Sequence, residues 1–345
     1  AHVCISAHMF PACRERSERH GERNSVMSET NPRAVTIGIH IVDILGRPVP
    51  AIPEGQGIAL LDEIRMTVAG TAAGTAIDIA RLGLGVTTIG AIGDDELGAW
   101  LQHKMSIEGV DTSGLRVVPS APTSATMLPI RPNGERPALH VKGANAHFSL
   151  DHIDWGIVEQ ADYVHVGGTC LLDSFDGEPT AEVLRRAQAA GAITTLDMLG
   201  MPDADFGRLF GPVLPHLDYF LPNEDDVLMV SGQSTQADAL SWLLDHGVGA
   251  TVVTLGADGA SYAPAGGEEV RVPAYDIDVV DTTGCGDAFS GGFIVGLSEG
   301  LDPVGAMEIG VASGSLVATG LGSDAGITDR AGLTTFMEET PRRTV

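Results

Sequence analysis

The strongest constraint on the fold of this chain is a rhythm running through most of its 345 residues: short, β-rich apolar runs alternate with longer stretches of helical period. The runs "AVTIGIHIVDI" (34–44), "VTTIGAI" (86–92), "ADYVHVGG" (161–168), "AITTLDM" (192–198), "LDYFLPN" (217–223) and "ATVVTLGA" (250–257) are mostly continuous in apolar character. Strands covered on both faces read this way. Between them lie helical patterns such as "GTAIDIARLG", "DELGAWLQHKM", "TAEVLRRAQAAG", "QADALSWLLDHG" and "DAFSGGFIVGLSEG", several closed by glycine. The alternation predicts an α/β fold of three layers (αβα), a mainly parallel central sheet with helices on both faces.

Two stretches break the rhythm. "GRPVPAIPEGQGIALLDEIRMTV" (46–68) and "SATMLPIRPNGERPALHVKGAN" (124–145) read as strands and hairpins, the second with an Asn133-Gly134 turn. They predict a small β-sheet lid over the C-terminal edge of the main sheet, drawn from segments at about 45–68 and 118–146. Residues 1–33 are polar and patternless and predict a disordered extension, with Met27 of "MSETNPR" as the expected native start. The main domain is expected over 34–338, followed by a tail at 339–345.

Composition narrows the function. A formal charge of −26 without a basic stripe argues against nucleic acid as a partner. No segment approaches the roughly 20 apolar residues of a membrane span, and the first residues lack the pattern of a secretory signal. Cys4, Cys13, Cys170 and Cys285 are too scattered for a disulfide framework or a C-x-x-C metal site. A cytoplasmic protein is the expectation. One so acidic must hold phosphates by local devices: helix N-termini, glycine amides and Mg²⁺.

One such device is "DTTGCGDAFSGGF" (281–293), which follows the β-type run "YDIDVV". Strand giving way to turn and then helix directs the amides around Gly284, Cys285 and Gly286 outward at the positive end of a helix dipole. Asp287 follows at once. Taken alone it is a helix-start acid, but a carboxylate beside an anion cradle would repel the pyrophosphate of a dinucleotide. Phosphoryl transfer to an alcohol uses both features: the amides stabilise the moving phosphoryl group, and the carboxylate takes the proton of the attacking hydroxyl.

"VVDTTGCGDAFSGGF" resembles the signature of the ribokinase/PfkB family of carbohydrate kinases, usually Asp-Thr-x-Gly-Ala-Gly-Asp, with Cys285 where Ala is common. The resemblance runs in the family's order from about Val35 to Phe336 and implies a ribokinase-like fold, an ATP-dependent kinase and Mg²⁺. It implies that Asp287 is the catalytic base, that Gly284, Cys285 and Gly286 form the anion hole, and that Asp43 in "GIHIVDI" binds acceptor hydroxyls. "VAGTAAGTAIDIARLG" (68–83) is similar to the second signature; it keeps Gly70 of a glycine pair and has Gly74 where Asn is usual, both on the substrate side. "LPNEDDV" looks like the Asn-x-x-Glu motif, with Asn223 retained, Asp226 in place of Glu, and Glu224 a further candidate for water-mediated Mg²⁺ contact.

For the nucleotide, the resemblance implies Thr254, Gly256 and Gly259 in "TVVTLGADGA" and the small residues of 308–326, Ser313 among them, around adenine. Asp281 and Thr283 match positions where family members respond to K⁺. Ile41, Gly74 and Gly168 stand where ribose-specific members carry polar side chains, which implies a roomier pocket or another ligand. The expected acceptor is a small sugar or polyol. A nucleoside is the alternative, and a nucleotide-responsive regulatory protein on a kinase scaffold the competing class. His40, His140, His147, His152 and His165 show no metal-ligand spacing, Arg131 and Lys142 read as charged lid surface, and Cys285 at a helix N-terminus is placed for a lowered thiol pKa. Relatives that pair through their lids make a homodimer the expected assembly.

Overall fold

The computed structural model describes residues 33–201, 203–323 and 325–344; the expected disordered extension and Met27 lie outside the described residues, apart from Arg33. The described residues open with β1 (Arg33–Gly38), β2 (Ile41–Arg47) and β3 (Glu63–Ala69), then α1 (Thr71–Arg81), β4 (Gly85–Gly93), α2 (Glu96–Ile107) and β5 (Asp111–Val118). Next come β6 (Ala125–Pro129), β7 (Leu139–Val141), the short α3 (Trp155–Val158), β8 (Tyr163–Thr169), α4 (Glu178–Ala190) and β9 (Ile193–Met198). The third part holds α5 (Phe206–Phe210), β10 (Tyr219–Phe220), α6 (Glu224–Ser231), α7 (Gln236–Asp245), β11 (Ala250–Thr254), β12 (Ala260–Pro264) and β13 (Val270–Val272). It closes on α8 (Cys285–Ser298), α9 (Pro303–Val317) and α10 (Arg330–Glu339).

Among the described residues, nine strands form the main sheet in the order β13-β12-β11-β10-β9-β8-β1-β4-β5. From β11 to β5 every neighbouring pair is parallel, and β12 and β13 add an antiparallel edge. Adjacent residues of β10 show why its runs are apolar throughout: Phe220 packs into one core with α4, α6 and α7, whereas Tyr219 packs into the other with α1, α8 and α9. Burying one such side chain contributes about 2–3 kcal/mol, and the sheet does so on both faces.

The small sheet has the order β3-β2-β6-β7. It begins earlier than the sequence suggests, because "AVTIGIHIVDI" is two strands in two sheets. Gly38, at φ +146°, comes so close to Gly167 that a Cβ would stand 1.9 Å from its carbonyl oxygen. The Asn145 side chain then clamps the His40 peptide, accepting from its N–H (3.2 Å) and donating to its C=O (3.0 Å). The His40 ring, held neutral by burial that lowers its pKa to about 4, reaches Thr88 Oγ1 at 2.8 Å. Both halves of the run are buried, so apolar patterning cannot mark the change of sheet.

"YDIDVV" is also not a strand. After β13 the chain makes one isolated bridge, Tyr275 to Arg342, and enters α8 through irregular backbone. Among the described residues no helix is long and apolar enough to cross a membrane.

Candidate active site

The C-terminal ends of the parallel strands and the inner face of the small sheet enclose a cavity of about 460 Å³. Its wall brings together Asp43, Gly70, Asn223, Asp226, Thr254, Thr283, Gly284, Gly286 and Asp287 from the motifs above. It also contains five polar residues that motif reading did not name: Thr71, Thr126, Arg136, Asp197 and Ser323. Asp197 closes the β9 run "AITTLDM", and a charge at the carboxyl end of a buried parallel strand is itself a signal. Arg136 had none, since it belongs to the loop between β6 and β7.

Gly284 caps α8 in the left-handed region at φ +80°, where an added Cβ would lie 2.6 Å from Ser323 Cα. The first main-chain bond of the helix is Ala288 N to Gly284 O at 2.9 Å. The amides of Gly286 and Asp287, which come before it, sit at the positive helix end beside the cavity. The Cys285 amide instead bends back to Thr282 O at 3.4 Å, and its side chain packs against the core. Burial, then repulsion from Asp281 and Asp287, pushes that thiol up to about 12, the reverse of the lowering expected from the dipole alone.

The Asp287 carboxylate lies over the first turn of α1, where a Cβ on Gly74 would stand 2.6 Å from Oδ2. Its pKa is held well above the usual carboxylate range, first by burial and then by the charges of Asp197, Asp78 and Asp43. Asp43 faces the cavity from β2, paired in register with Thr126 of β6, and burial raises it to about 6 against the hydrogen bond of Thr126 and the charge of Arg136. Asp226 and Asn223 form a reciprocal cap of α6, Asp226 N to Asn223 Oδ1 at 2.9 Å and Asn223 N to Asp226 Oδ2 at 3.3 Å. Burial chiefly, and Asp197 after it, raises Asp226 to about 6.

Other expected residues stand elsewhere. Glu224 is exposed at the start of α6 and outside the cavity wall. Ser313 is fully buried where α9 crosses α8: its hydroxyl donates to Ile309 O, and a Cβ on Gly292 would meet it at 2.4 Å. It packs helices rather than bordering a ligand. Gly259 is required by its own turn, since a Cβ there would stand 2.0 Å from Val272 O, while Gly256 at φ +56° faces open space. Gly168 does not enlarge the pocket, because Ile39 fills the position its Cβ would take, at 2.4 Å. Among lid cations, Arg131 pairs with Glu135 and Lys142 with Asp173. Among the histidines, His165 is buried against Thr195 and Asp197, His140 meets Thr126, and His152 caps a turn at Ser149.

Asp281 and Thr283, the pair matched to K⁺, are occupied by the protein. Asp281 Oδ1 accepts from the Thr283 amide (2.9 Å) and hydroxyl (2.8 Å), Oδ2 accepts from the Gly322 amide (2.9 Å), and the Arg136 guanidinium pairs with Oδ1. These residues do not fit a bound K⁺. The oxygen donors of exposed Asn223 and buried Asp226, both in the cavity wall, do suit a hard divalent cation such as Mg²⁺.

A parallel sheet with an acidic cavity at its carboxyl edge, and a helix start at the cavity rim, belongs to the class of nucleotide-dependent phosphotransferases. The chain is a member of the pfkB family of carbohydrate kinases, whose model matches residues 31–330. It is 30% identical over 271 residues to an ATP-dependent ribose-1-phosphate kinase of Halopiger xanaduensis, covering 78% of this chain and 86% of that protein. It is 31% identical to an aminoimidazole riboside kinase of Salmonella typhimurium over 67% of this chain and 73% of the relative. Among solved structures, ribokinase of Thermotoga maritima superposes with a TM-score of 0.77 at 25% identity, covering 89% of this chain and all of that one. Arabidopsis thaliana ribokinase with ribose and ATP shares the fold, with a TM-score of 0.79 at 23% identity over 90% of this chain and 99% of the other. The protein is thus an ATP-dependent kinase of a sugar or nucleoside.

Proposed function

We propose that the protein transfers the γ-phosphoryl group of ATP to a hydroxyl of a small sugar or polyol, with Asp287 as general base. The observation that carries this reading is the shared cavity: a carboxylate of raised pKa stands in the first turn of a helix whose starting residues, Gly284 and Gly286, line the same space. A base poised nearer neutrality accepts a proton and gives it up again efficiently.

Asp43 and Thr126 hold acceptor hydroxyls from the small sheet, opposite Asp287. The amides of Gly284, Gly286 and Asp287 stabilise charge that develops on the moving phosphoryl group. Asn223 and Asp226 hold Mg²⁺, largely through water, and Thr254 and Gly256 border the nucleotide. When bound, the metal neutralises phosphate charge in a site whose own carboxylates would otherwise repel ATP. The small sheet, closed over the cavity, excludes water and so limits hydrolysis.

Ile39, Ile41, Leu128 and Met198 give the cavity an apolar wall, which favours an acceptor with a hydrophobic face, and a nucleoside is the second reading on this ground. Measuring ADP release with a panel of sugars, polyols and nucleosides tests both. The expected result is acceptor-dependent turnover with one member; binding of ATP without turnover on any acceptor would favour a regulatory scaffold instead.

The outer face of the small sheet supports a homodimer. Ile64, Met66, Met127, Leu139 and Val141 are all exposed on it, and the cross-strand register Met66–Ile44–Met127–Leu139 makes a continuous apolar row. A second copy covering that row would bury it. Light scattering should report a dimer that Met127→Glu converts to monomer; a monomeric unmodified protein would end this part of the reading.

A further inference from the structure

Asp281 closes the turn that leads into α8, and its side chain is only 3% exposed. A carboxylate so buried needs a compensating positive charge. Arg136 supplies it from the small sheet's loop, 145 positions away, and its Nη2 also donates to Thr282 Oγ1 at 3.2 Å. The other cations of the small sheet are engaged elsewhere: Arg47 with Glu63, Arg65 with Leu321 O, Arg131 with Glu135, and Lys142 with Asp173. Among the described residues, Arg136 is also the one Lys or Arg in the wall of the main cavity.

We propose that Arg136 is a built-in cation: its guanidinium does at Asp281 what a bound monovalent ion would do, so that turnover needs no K⁺. Arg136 is a positioning residue. It acts through Asp281, which holds Thr283 and Gly322 and thereby the turn Thr282–Gly284 that aims the amides of α8. Because the guanidinium rides on the small sheet, closure of that sheet and completion of the anion-binding turn become one event. A neighbouring cavity of about 740 Å³ is lined by both Arg136 and Asp281, so loss of the guanidinium leaves the carboxylate facing a space that a cation can enter.

The kinetic test rests on the proposed transfer reaction, while the ion-binding test does not. Wild-type turnover should agree within about two-fold in K⁺ and in equal tetramethylammonium, whereas Arg136→Gln should lose about ten-fold or more in tetramethylammonium because a buried charge has lost its partner. K⁺ or low guanidinium should restore much of that loss, and Arg136→Lys should remain indifferent to K⁺. Independently of turnover, K⁺ should raise the melting temperature of Arg136→Gln above its value in tetramethylammonium and leave that of the wild type unchanged. A wild-type rate that collapses without K⁺, or an Arg136→Gln protein whose melting ignores K⁺, overturns the proposal. If no acceptor is turned over, the transfer reading fails and the melting comparison alone decides this one; if Arg136→Gln does not fold, the K⁺ response of the wild type decides.

Discussion

The carboxylate of Asp287 rests on Gly74, so closely that a single methyl group at position 74 would stand 2.6 Å from Oδ2 and 3.1 Å from Cγ. The cavity side of α1 is therefore shaped to the carboxylate of α8, and the absence of a side chain at 74 sets where that carboxylate points. Gly74→Ala should turn the Asp287 side chain aside without unfolding the protein. A misplaced reacting group costs about 10²-fold, so turnover should fall by about that much while the KM for ATP changes little. Steady-state kinetics checks this; unchanged turnover would show that Asp287 tolerates another orientation.

Asp287→Asn removes the proposed base and should lower turnover by at least about 10²-fold with ATP binding retained. Titration calorimetry beside single-turnover kinetics separates the two effects. A variant turning over near the wild-type rate would exclude Asp287 as base.

The pH dependence has a definite sign. Asp197 is the first charge, after burial, that raises Asp287. The base form is the active one, so activity falls as pH drops through the raised pKa. Asp197→Asn removes one negative neighbour while keeping an acceptor for the Gly168 amide, which now bonds Oδ1 at 3.2 Å. The acid limb of the kcat/KM profile should move to lower pH. These carboxylates titrate as a group, and a limb that moves upward or stays in place would refute the electrostatic account.

Asp176 makes a prediction about stability. Its Oδ2 accepts the amides of Cys170 and Leu172, both at 3.0 Å, yet burial raises it from 3.8 to about 7. A carboxyl raised by folding contributes fully below its unfolded value, and the contribution is lost as pH rises through about 7. Asp176→Asn keeps the acceptor and removes the charge. Its melting temperature should exceed that of the wild type by a few degrees at pH 8, on the order of 2–4 °C per kcal/mol, with a smaller gap at pH 5. Calorimetry at both values reads this directly.

Cys285 should be inert. With the thiol pushed up to about 12, the thiolate is scarce near neutrality and iodoacetamide should label the position slowly. Cys285→Ala should keep turnover within a few-fold. Rapid, ATP-protectable inactivation by the alkylating agent would contradict the placement of the sulfur against the core.

Much of this protein is written locally. The alternation that ends in "LDYFLPN" and "ATVVTLGA" dictates a parallel sheet, because continuous apolar character demands cover on two faces. Gly284 followed by Asp287 dictates a helix start that bears both amides and a carboxylate, because cap geometry depends on neighbours a few positions apart. Which distant groups meet depends on how the elements pack in space. Local pattern shows that 34–44 is mostly buried but not that the chain changes sheets at His40, since side chains on both sides of that point are buried. It shows a small residue at 313 but not that α8 is the surface against it. The pairing of Arg136 with Asp281, and the crowding of Asp43, Asp78 and Asp197 around Asp287, are set by topology. Coulomb energy and desolvation depend on distance through space, and a sequence records distance only along the chain.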